Sequence, residues 1–251
     1  MLNHPTLERL HALQLRGMAR AFEEQMQMPD LGELSFAERL GLLVDREAAD
    51  RESRRLARRL KEAKLRLEAA VEDLDFRIPR GLDKRLVLSL AGCGWIDQHL
   101  NVLITGPTGV GKSYLACALA HKACRDGYTV LYHRLSRLLG ELALARGDGR
   151  YPQLLARLGK ARLLVLDDWG LEPLTDTHRR DLLEILEDRY DRRSTLVTSQ
   201  LAVKHWHDAL GDPTLADAIL DRLVHNAHRI ELDGESIRKR RAVQPKAQSP
   251  A

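Results

Sequence analysis

Aromatic side chains are scarce. Only 4% of the 251 residues are Phe, Trp or Tyr, so a packed interior must rest on Leu, Ala, Val and Ile, and grip on single strands by base stacking has little to work with. Cysteine is rarer still: Cys93, Cys117 and Cys124 stand in neither paired nor metal-type spacing. That excludes a disulfide framework and a zinc ribbon and fits a reducing compartment. No apolar run reaches the roughly eighteen residues of a membrane span, and the N-terminus has no signal-peptide layout. The expectation is a cytoplasmic protein with no membrane partner. Charge, by contrast, is plentiful at 30% of residues, with a net value of only +4. Its distribution therefore matters more than its sum.

The most informative stretch is Asn101 to Ser113, NVLITGPTGVGKS. An apolar run, Val102-Leu103-Ile104, leads to a loop that fits G-x-x-x-x-G-K-S/T and then to a helical pattern from Tyr114. Strand before and helix after are the flanks this motif needs. Its glycines allow turns closed to other residues, so successive N–H groups can face a phosphate at a helix N-terminus. Nucleotide contacts are expected from Gly106, Pro107, Thr108, Gly109, Val110, Gly111, Lys112, Ser113 and Tyr114. Lys112 would reach the β- and γ-phosphates and the Ser113 hydroxyl would ligate Mg²⁺.

The N-terminal part, Leu2 to about Asp75, reads as helical. Asn3 or Thr6 is expected to cap a first helix carrying Leu7, Leu10, Leu13 and Met18, which Pro29 ends. Ser35 and Glu38 form a capping-box pattern for a helix over Phe36 to Ala49. Over Asp50 to Leu74, the residues Leu56, Leu60, Ala63, Leu67, Val71 and Leu74 recur at helical spacing. Arg51, Arg54, Arg58 and Lys61 fall opposite that stripe, with Arg55, Arg59, Lys64 and Arg66 on its flanks, and only Glu52 and Glu62 interrupt them. A face so unevenly charged suits the phosphates of nucleic acid, through counterion release rather than base readout. Pro79 and Gly81 mark a linker.

Downstream, strand patterns at Tyr128 to Tyr132, Leu163 to Asp168, Ser194 to Gln200 and His228 to Leu232 alternate with helical ones at Leu135 to Ala145 and Thr177 to Arg189. Arg146 to Arg150 reads as an exposed loop. Alternation after a phosphate loop predicts an α/β fold with a parallel sheet flanked by helices and the ligand at the strands' C-terminal ends. Asp167 ends an apolar run, as a carboxylate that holds Mg²⁺ should, and Asp168 is placed to orient or deprotonate water. A polar group from the tip of the next strand should complete the site, Gln200 being favoured over Ser199. The transition state also needs an arginine, for which Arg179, Arg180, Arg222 and Arg238 are candidates.

The segments GPTGVGKSYLA, LLVLDDWG, TLVTSQ and ILDRLVHNAHRIELDGESIRK, in this order, resemble the IstB family of insertion-sequence ATPases, AAA+ proteins related to the DnaC and DnaI helicase loaders. The resemblance implies a P-loop NTPase (AAA+) parallel sheet preceded by a small all-helical domain. The expected boundaries are a DNA-binding and assembly domain over 1–75, a linker and leading helix over 76–98, the ATPase domain over 99–237 and a basic tail over 238–251. It assigns Lys112 and Ser113 to Walker A, Asp167 and Asp168 to Walker B, Gln200 to sensor 1, Arg222 to the arginine finger and Arg238 to sensor 2. Asp168 stands where many AAA+ proteins carry glutamate, and Gln200 where the loaders often have asparagine. The implied activity is ATP hydrolysis with Mg²⁺ in a homo-oligomer whose ATP sites lie between subunits. Duplex DNA and the transposase of the same insertion sequence are the implied partners, and the alternative is a replicative helicase loader.

Overall fold

The computed structural model describes residues 4–28 and 34–237. The chain divides into two compact units, Met1–Arg58 and Arg59–Ala251. The division falls inside a long helix, so residues 59–75 belong with the second unit rather than with the N-terminal helices.

The first unit holds α1 (Pro5–Ala12), α2 (Arg16–Gln27) and most of α3 (Phe36–Ala63). The single first helix expected from the sequence is broken in two, because Gln14 takes a left-handed φ of 59° that no helix continues. The His4 side chain, not Thr6, caps α1 by accepting from the Thr6 N–H at 3.3 Å, with Pro5 at the first helical position. Asn3, the other expected cap, lies outside the described residues. The capping box before α3 forms as expected: the Ser35 N–H donates to Glu38 Oε2 at 2.8 Å and the Glu38 N–H donates back to Ser35 Oγ at 3.3 Å. Glu47 is buried and accepts from the Gly17 N–H at 2.7 Å and the Met18 N–H at 3.2 Å, satisfying the start of α2. Gly17 is required there, since a Cβ would lie 2.6 Å from Glu47 Cα.

The helix expected to run on to Leu74 ends at Ala63, and Lys64 turns the chain at φ 51°. Val71 and Leu74 are buried all the same, around a short 3₁₀ turn over Val71–Asp73 that packs on α6 (Lys112–Arg125). Helical spacing of apolar residues there marked burial without helix. After α4 (Lys84–Ala91) and α5 (Gly94–Asp97) the sheet begins.

Five strands, β1 (Asn101–Thr105), β2 (Val130–Arg134), β3 (Leu163–Trp169), β4 (Ser194–Ser199) and β5 (Ala227–Glu231), form one parallel sheet in the order β2-β3-β4-β1-β5. Strand β2 starts two residues later than expected because Gly127, at φ 96°, closes α6 and Thr129 is held by the Arg162 N–H. The remaining helices are α7 (Leu135–Gly147), α8 (Tyr151–Lys160), α9 (Asp176–Arg189), α10 (Trp206–Leu210) and α11 (Pro213–Val224). Helix α8 escaped the sequence reading although Leu155 and Leu158 bury one face of it. Arg146, read there as part of an exposed loop, belongs to α7, pairs with Asp181 and stacks 3.8 Å above the Tyr151 ring. Arg189 at the end of α9 is 1% exposed, yet Thr195 Oγ1 and the carbonyls of Leu158, Ala161 and Ser194 accept from its guanidinium. A buried charge so fully hydrogen-bonded welds α8, α9 and β4 together. Among the described residues, no helix is long and apolar enough to cross a membrane.

Candidate nucleotide-binding site

In an open parallel sheet a ligand sits beyond the C-terminal ends of the strands, where the order reverses. Here β1 lies between β4 and β5, and the loop Gly106–Gly111 leaves its last residue. Gly106, Gly109 and Gly111 have φ of 142°, 88° and 100°. At Gly106 a Cβ would come 2.1 Å from the Leu232 carbonyl oxygen, and at Gly109 2.2 Å from Ser236 Oγ. The chain after β5 therefore lies directly against the loop: the Leu232 N–H donates to the Thr105 carbonyl at 2.8 Å and the Ile237 N–H to the Gly109 carbonyl at 3.0 Å.

The cavity beside this loop measures about 440 Å³ and is lined by Lys112, Ser113, Asp168, Gln200, Arg66 and Arg134, with Leu67, Leu74, Ile78 and Ile237 as apolar wall. Lys112 Nζ donates to the carbonyls of Gly106 and Pro107 at 2.8 Å each. Burial lowers its pKa, opposed by the charges of Asp167 and Asp168. Ser113 Oγ donates to Asp167 Oδ1 at 2.9 Å, which joins the phosphate loop to the tip of β3. Asp167 is fully buried and also accepts from Thr198 Oγ1 and the Tyr132 hydroxyl. Burial, and then the Asp167 carboxylate, push the Tyr132 phenol well above its ordinary pKa, so it remains a donor.

Consecutive side chains on a strand point to opposite faces. Here a bulge between Leu166 and Trp169 interrupts β3, and Asp168 takes a left-handed φ of 65°. One guanidinium can then reach both carboxylates: Arg66 Nη1 lies 3.4 Å from Asp167 Oδ2 and 3.5 Å from Asp168 Oδ2. Arg134, at the tip of β2, donates from Nε to Asp168 Oδ2 at 2.9 Å, and the Asp168 N–H donates to Thr198 Oγ1 at 3.3 Å.

At the tip of β4 the two candidates part. Ser199 is buried and donates to the Trp169 carbonyl at 2.8 Å, whereas Gln200 is exposed, lines the cavity and accepts from Thr108 Oγ1 at 2.6 Å. Arg80 is 5% exposed and also lines the cavity, donating to the Val110 carbonyl at 3.0 Å, and burial lowers its pKa. Helical spacing puts Arg66 on the flank of the basic face, but α3 ends at Ala63 and Arg66 instead lines this cavity; nothing in the local spacing of Tyr132, Arg134 and Arg80 marks them as site residues.

The other expected residues are not gathered here. The Arg222 carbonyl accepts from Asn101 Nδ2 at 3.0 Å, at the opposite end of β1 from the phosphate loop, and its side chain pairs with Glu187. Arg179 pairs with Asp176, Arg180 is exposed, and Arg238 lies outside the described residues. On α3, Arg51 lies 2.7 Å from Glu47, Arg54 3.1 Å from Asp50 and Arg55 3.9 Å from Glu52. The basic face is thus more compensated than its charge run suggests, because Glu47 lies one turn before it and Asp50 at its very start. Arg58 and Lys61 are exposed and Arg59 is half-buried.

Oxygen donors from Ser113 and Asp167, with room for phosphate beside them, fit Mg²⁺, which binds through one or two protein oxygens plus phosphates and waters. Among the described residues there is no cluster of three or more His, Cys, Asp or Glu that would make an all-protein cage.

The profile of the IstB-like ATP binding protein family matches residues 8–245. The chain is 61% identical over 239 residues to the insertion sequence ATP-binding protein y4pL of Sinorhizobium fredii, covering 95% of this chain and 98% of that one. It is 54% identical over 202 residues to the ATP-binding protein of insertion sequence IS1162 from Pseudomonas fluorescens, covering 80% and 87%. Among solved structures DnaI superposes with a TM-score of 0.56 at 22% identity, covering 66% of this chain and 91% of that one.

Proposed function

The chain belongs to the family of IstB-like ATP-binding proteins of insertion sequences, AAA+ proteins of the P-loop type, and from that membership we propose that it is an ATP-hydrolysing switch for transposition. In its ATP state it assembles as a homo-oligomer on duplex DNA and recruits the transposase of the same insertion sequence, and hydrolysis releases the assembly. The observation that carries the reading is the Ser113–Asp167 contact at 2.9 Å, with Lys112 and Asp168 on the same cavity. Those four groups are what γ-phosphoryl transfer to water needs from the subunit that binds the nucleotide, an arginine completing the set.

Lys112 leaves the loop carbonyls for the β- and γ-phosphate oxygens, which are the better acceptors. Ser113 and Asp167 would hold Mg²⁺, which would neutralise charge on the phosphates. Asp168 accepts a proton from the water whose oxygen attacks the γ-phosphorus as the bond to the β–γ bridging oxygen breaks. Gln200, joined to Thr108, is the polar group between the carboxylates and the phosphate. Arg222 lies away from its own cavity, which suits action on a neighbouring subunit's nucleotide. Positive charge on α3, at Arg51, Arg54, Arg55, Arg58, Arg59 and Lys61, supports contact with DNA phosphates.

Electron microscopy of the full chain with duplex DNA, in ATP, in ADP and without nucleotide, tests the reading alongside Lys112→Ala. Ordered assemblies are expected on DNA with ATP for the wild type alone. Equal assembly by Lys112→Ala, or assembly indifferent to nucleotide, would refute it.

A further inference from the structure

Arg66 stands at the two Walker B carboxylates without being needed as their partner. Asp167 already accepts from Ser113, Thr198 and Tyr132, and Asp168 already has Arg134 at 2.9 Å. The contacts of Arg66 with both are long, 3.4 and 3.5 Å, it also meets the Tyr132 hydroxyl, and with 38% of its side chain exposed it lines the cavity that Lys112 and Ser113 share. Arg189 shows what a purely structural arginine looks like in this fold, buried with four acceptors around it. Arg66 is built differently.

Its backbone, however, is fixed. The left-handed Lys64 turns the chain out of α3, and Ala69, Val71 and Leu74 are buried next to it. Glu72 pairs with Arg125 at the end of α6 at 2.6 Å, the helix that begins with Lys112 and Ser113. A guanidinium on a fixed stem, held by two long carboxylate contacts and the Tyr132 hydroxyl and lining the cavity, can change acceptors without moving the chain.

From this geometry we infer that Arg66 contacts the terminal phosphate of a bound nucleoside triphosphate in its own subunit, and so distinguishes triphosphate from diphosphate. The inference rests on the cavity being the ATP site. A divalent cation at Asp167 repels a guanidinium at the same carboxylate. The oxygens of a γ-phosphate offer that guanidinium a bidentate, doubly charged acceptor, which a diphosphate does not present at that place. Arg66 therefore shifts from the carboxylates to the phosphate only when the third phosphate is there, and leaves Asp168 to Arg134 and water.

Equilibrium binding of fluorescent ATPγS and ADP, both with Mg²⁺, to the full-length wild type, Arg66→Ala and Arg66→Lys tests this. For Arg66→Ala, ATPγS affinity is expected to fall about tenfold or more while ADP affinity changes less than about twofold. Arg66→Lys keeps the charge but not the fork, so its loss for ATPγS should be intermediate. Equal losses for both nucleotides, or none for either, would overturn the assignment and leave Arg66 a neutraliser of the carboxylates. Lys112→Ala separates the two readings, because it should weaken both nucleotides. If it binds both as tightly as the wild type, the phosphate-loop reading has failed, whatever Arg66 does. Arg66→Lys keeps the charge beside the carboxylates, so a thermal melt matching the wild type makes it decisive even where Arg66→Ala unfolds.

Discussion

Replacing Asp168 by asparagine and by alanine separates its chemistry from its backbone. The residue sits at φ 65°, which asparagine tolerates and alanine does not, at a cost of about 1–2 kcal/mol. Asparagine keeps one oxygen for Arg134 Nε, now 2.9 Å from the carboxylate, and loses only the charge assistance, about 1 kcal/mol. Alanine loses the whole charged hydrogen bond, about 2 kcal/mol, in addition to the backbone cost. The second unit of Asp168→Asn should therefore be about 1 kcal/mol less stable than wild type and that of Asp168→Ala about 3–4 kcal/mol. Catalysis should not follow that order. Both variants lack the carboxylate to which we assign the proton from water, so both should lose at least about a hundredfold in turnover. Urea unfolding followed by tryptophan fluorescence measures the first quantity, since Trp95, Trp169 and Trp206 all belong to the second unit. Steady-state phosphate release measures the second. Equal stabilities would refute the role given to the left-handed turn. Turnover in Asp168→Asn above about a tenth of wild type would refute the role given to the carboxylate.

Reversing Arg58 and Lys61 to glutamate should weaken duplex DNA binding and flatten its dependence on salt, by a slope of at least about 2 in fluorescence anisotropy titrations; an unchanged slope would make this only a solvated face. Arg222→Ala should lose hydrolysis and keep ATP binding. Mixing it with Lys112→Ala subunits, which retain Arg222, should restore phosphate release if the arginine acts across subunits, and no recovery would count against that. All three cysteines are buried, and burial pushes the thiol pKa up to about 12 for Cys93 and about 11 for Cys124, with Cys117 raised as well. Since the thiolate is the reactive form, none should react with a disulfide reagent at pH 8 until denaturant is added. Rapid labelling of the native protein would contradict the buried positions.

The strand, glycine loop and helix start around Lys112 were legible because that arrangement depends on neighbours in sequence: glycines at fixed spacing, then lysine and serine at a helix start. Asp167 was legible for the same reason, as the residue that ends an apolar run. The preference for Gln200 over Ser199 rested on less, and which of them faces the cavity follows from the turn after β4, where Leu201 donates its N–H to Ser199 Oγ at 3.0 Å. Where the signal was ambiguous, burial was readable and geometry was not. Leu67, Val71 and Leu74 fit a helical stripe, but Lys64 ends the helix before them. Glu47 and Asp50 precede the basic run they neutralise, so counting acids within the run missed them. Arg66 comes from the segment after α3 and Tyr132 and Arg134 from the end of β2, and they reach Asp167 and Asp168 only when that segment, β2 and β3 are set side by side. No local pattern encodes such a meeting.

The hydrogen bond from the Ile237 amide to the Gly109 carbonyl gives the protein an indicator of its own. Gly109 lies in the loop to which we assign the phosphates, so a ligand that reshapes the loop must keep, stretch or break this bond. The amide belongs to an isoleucine far along the chain and needs no label. Its exchange with deuterium would report the state of the loop from a peptide that contains none of the loop's own residues.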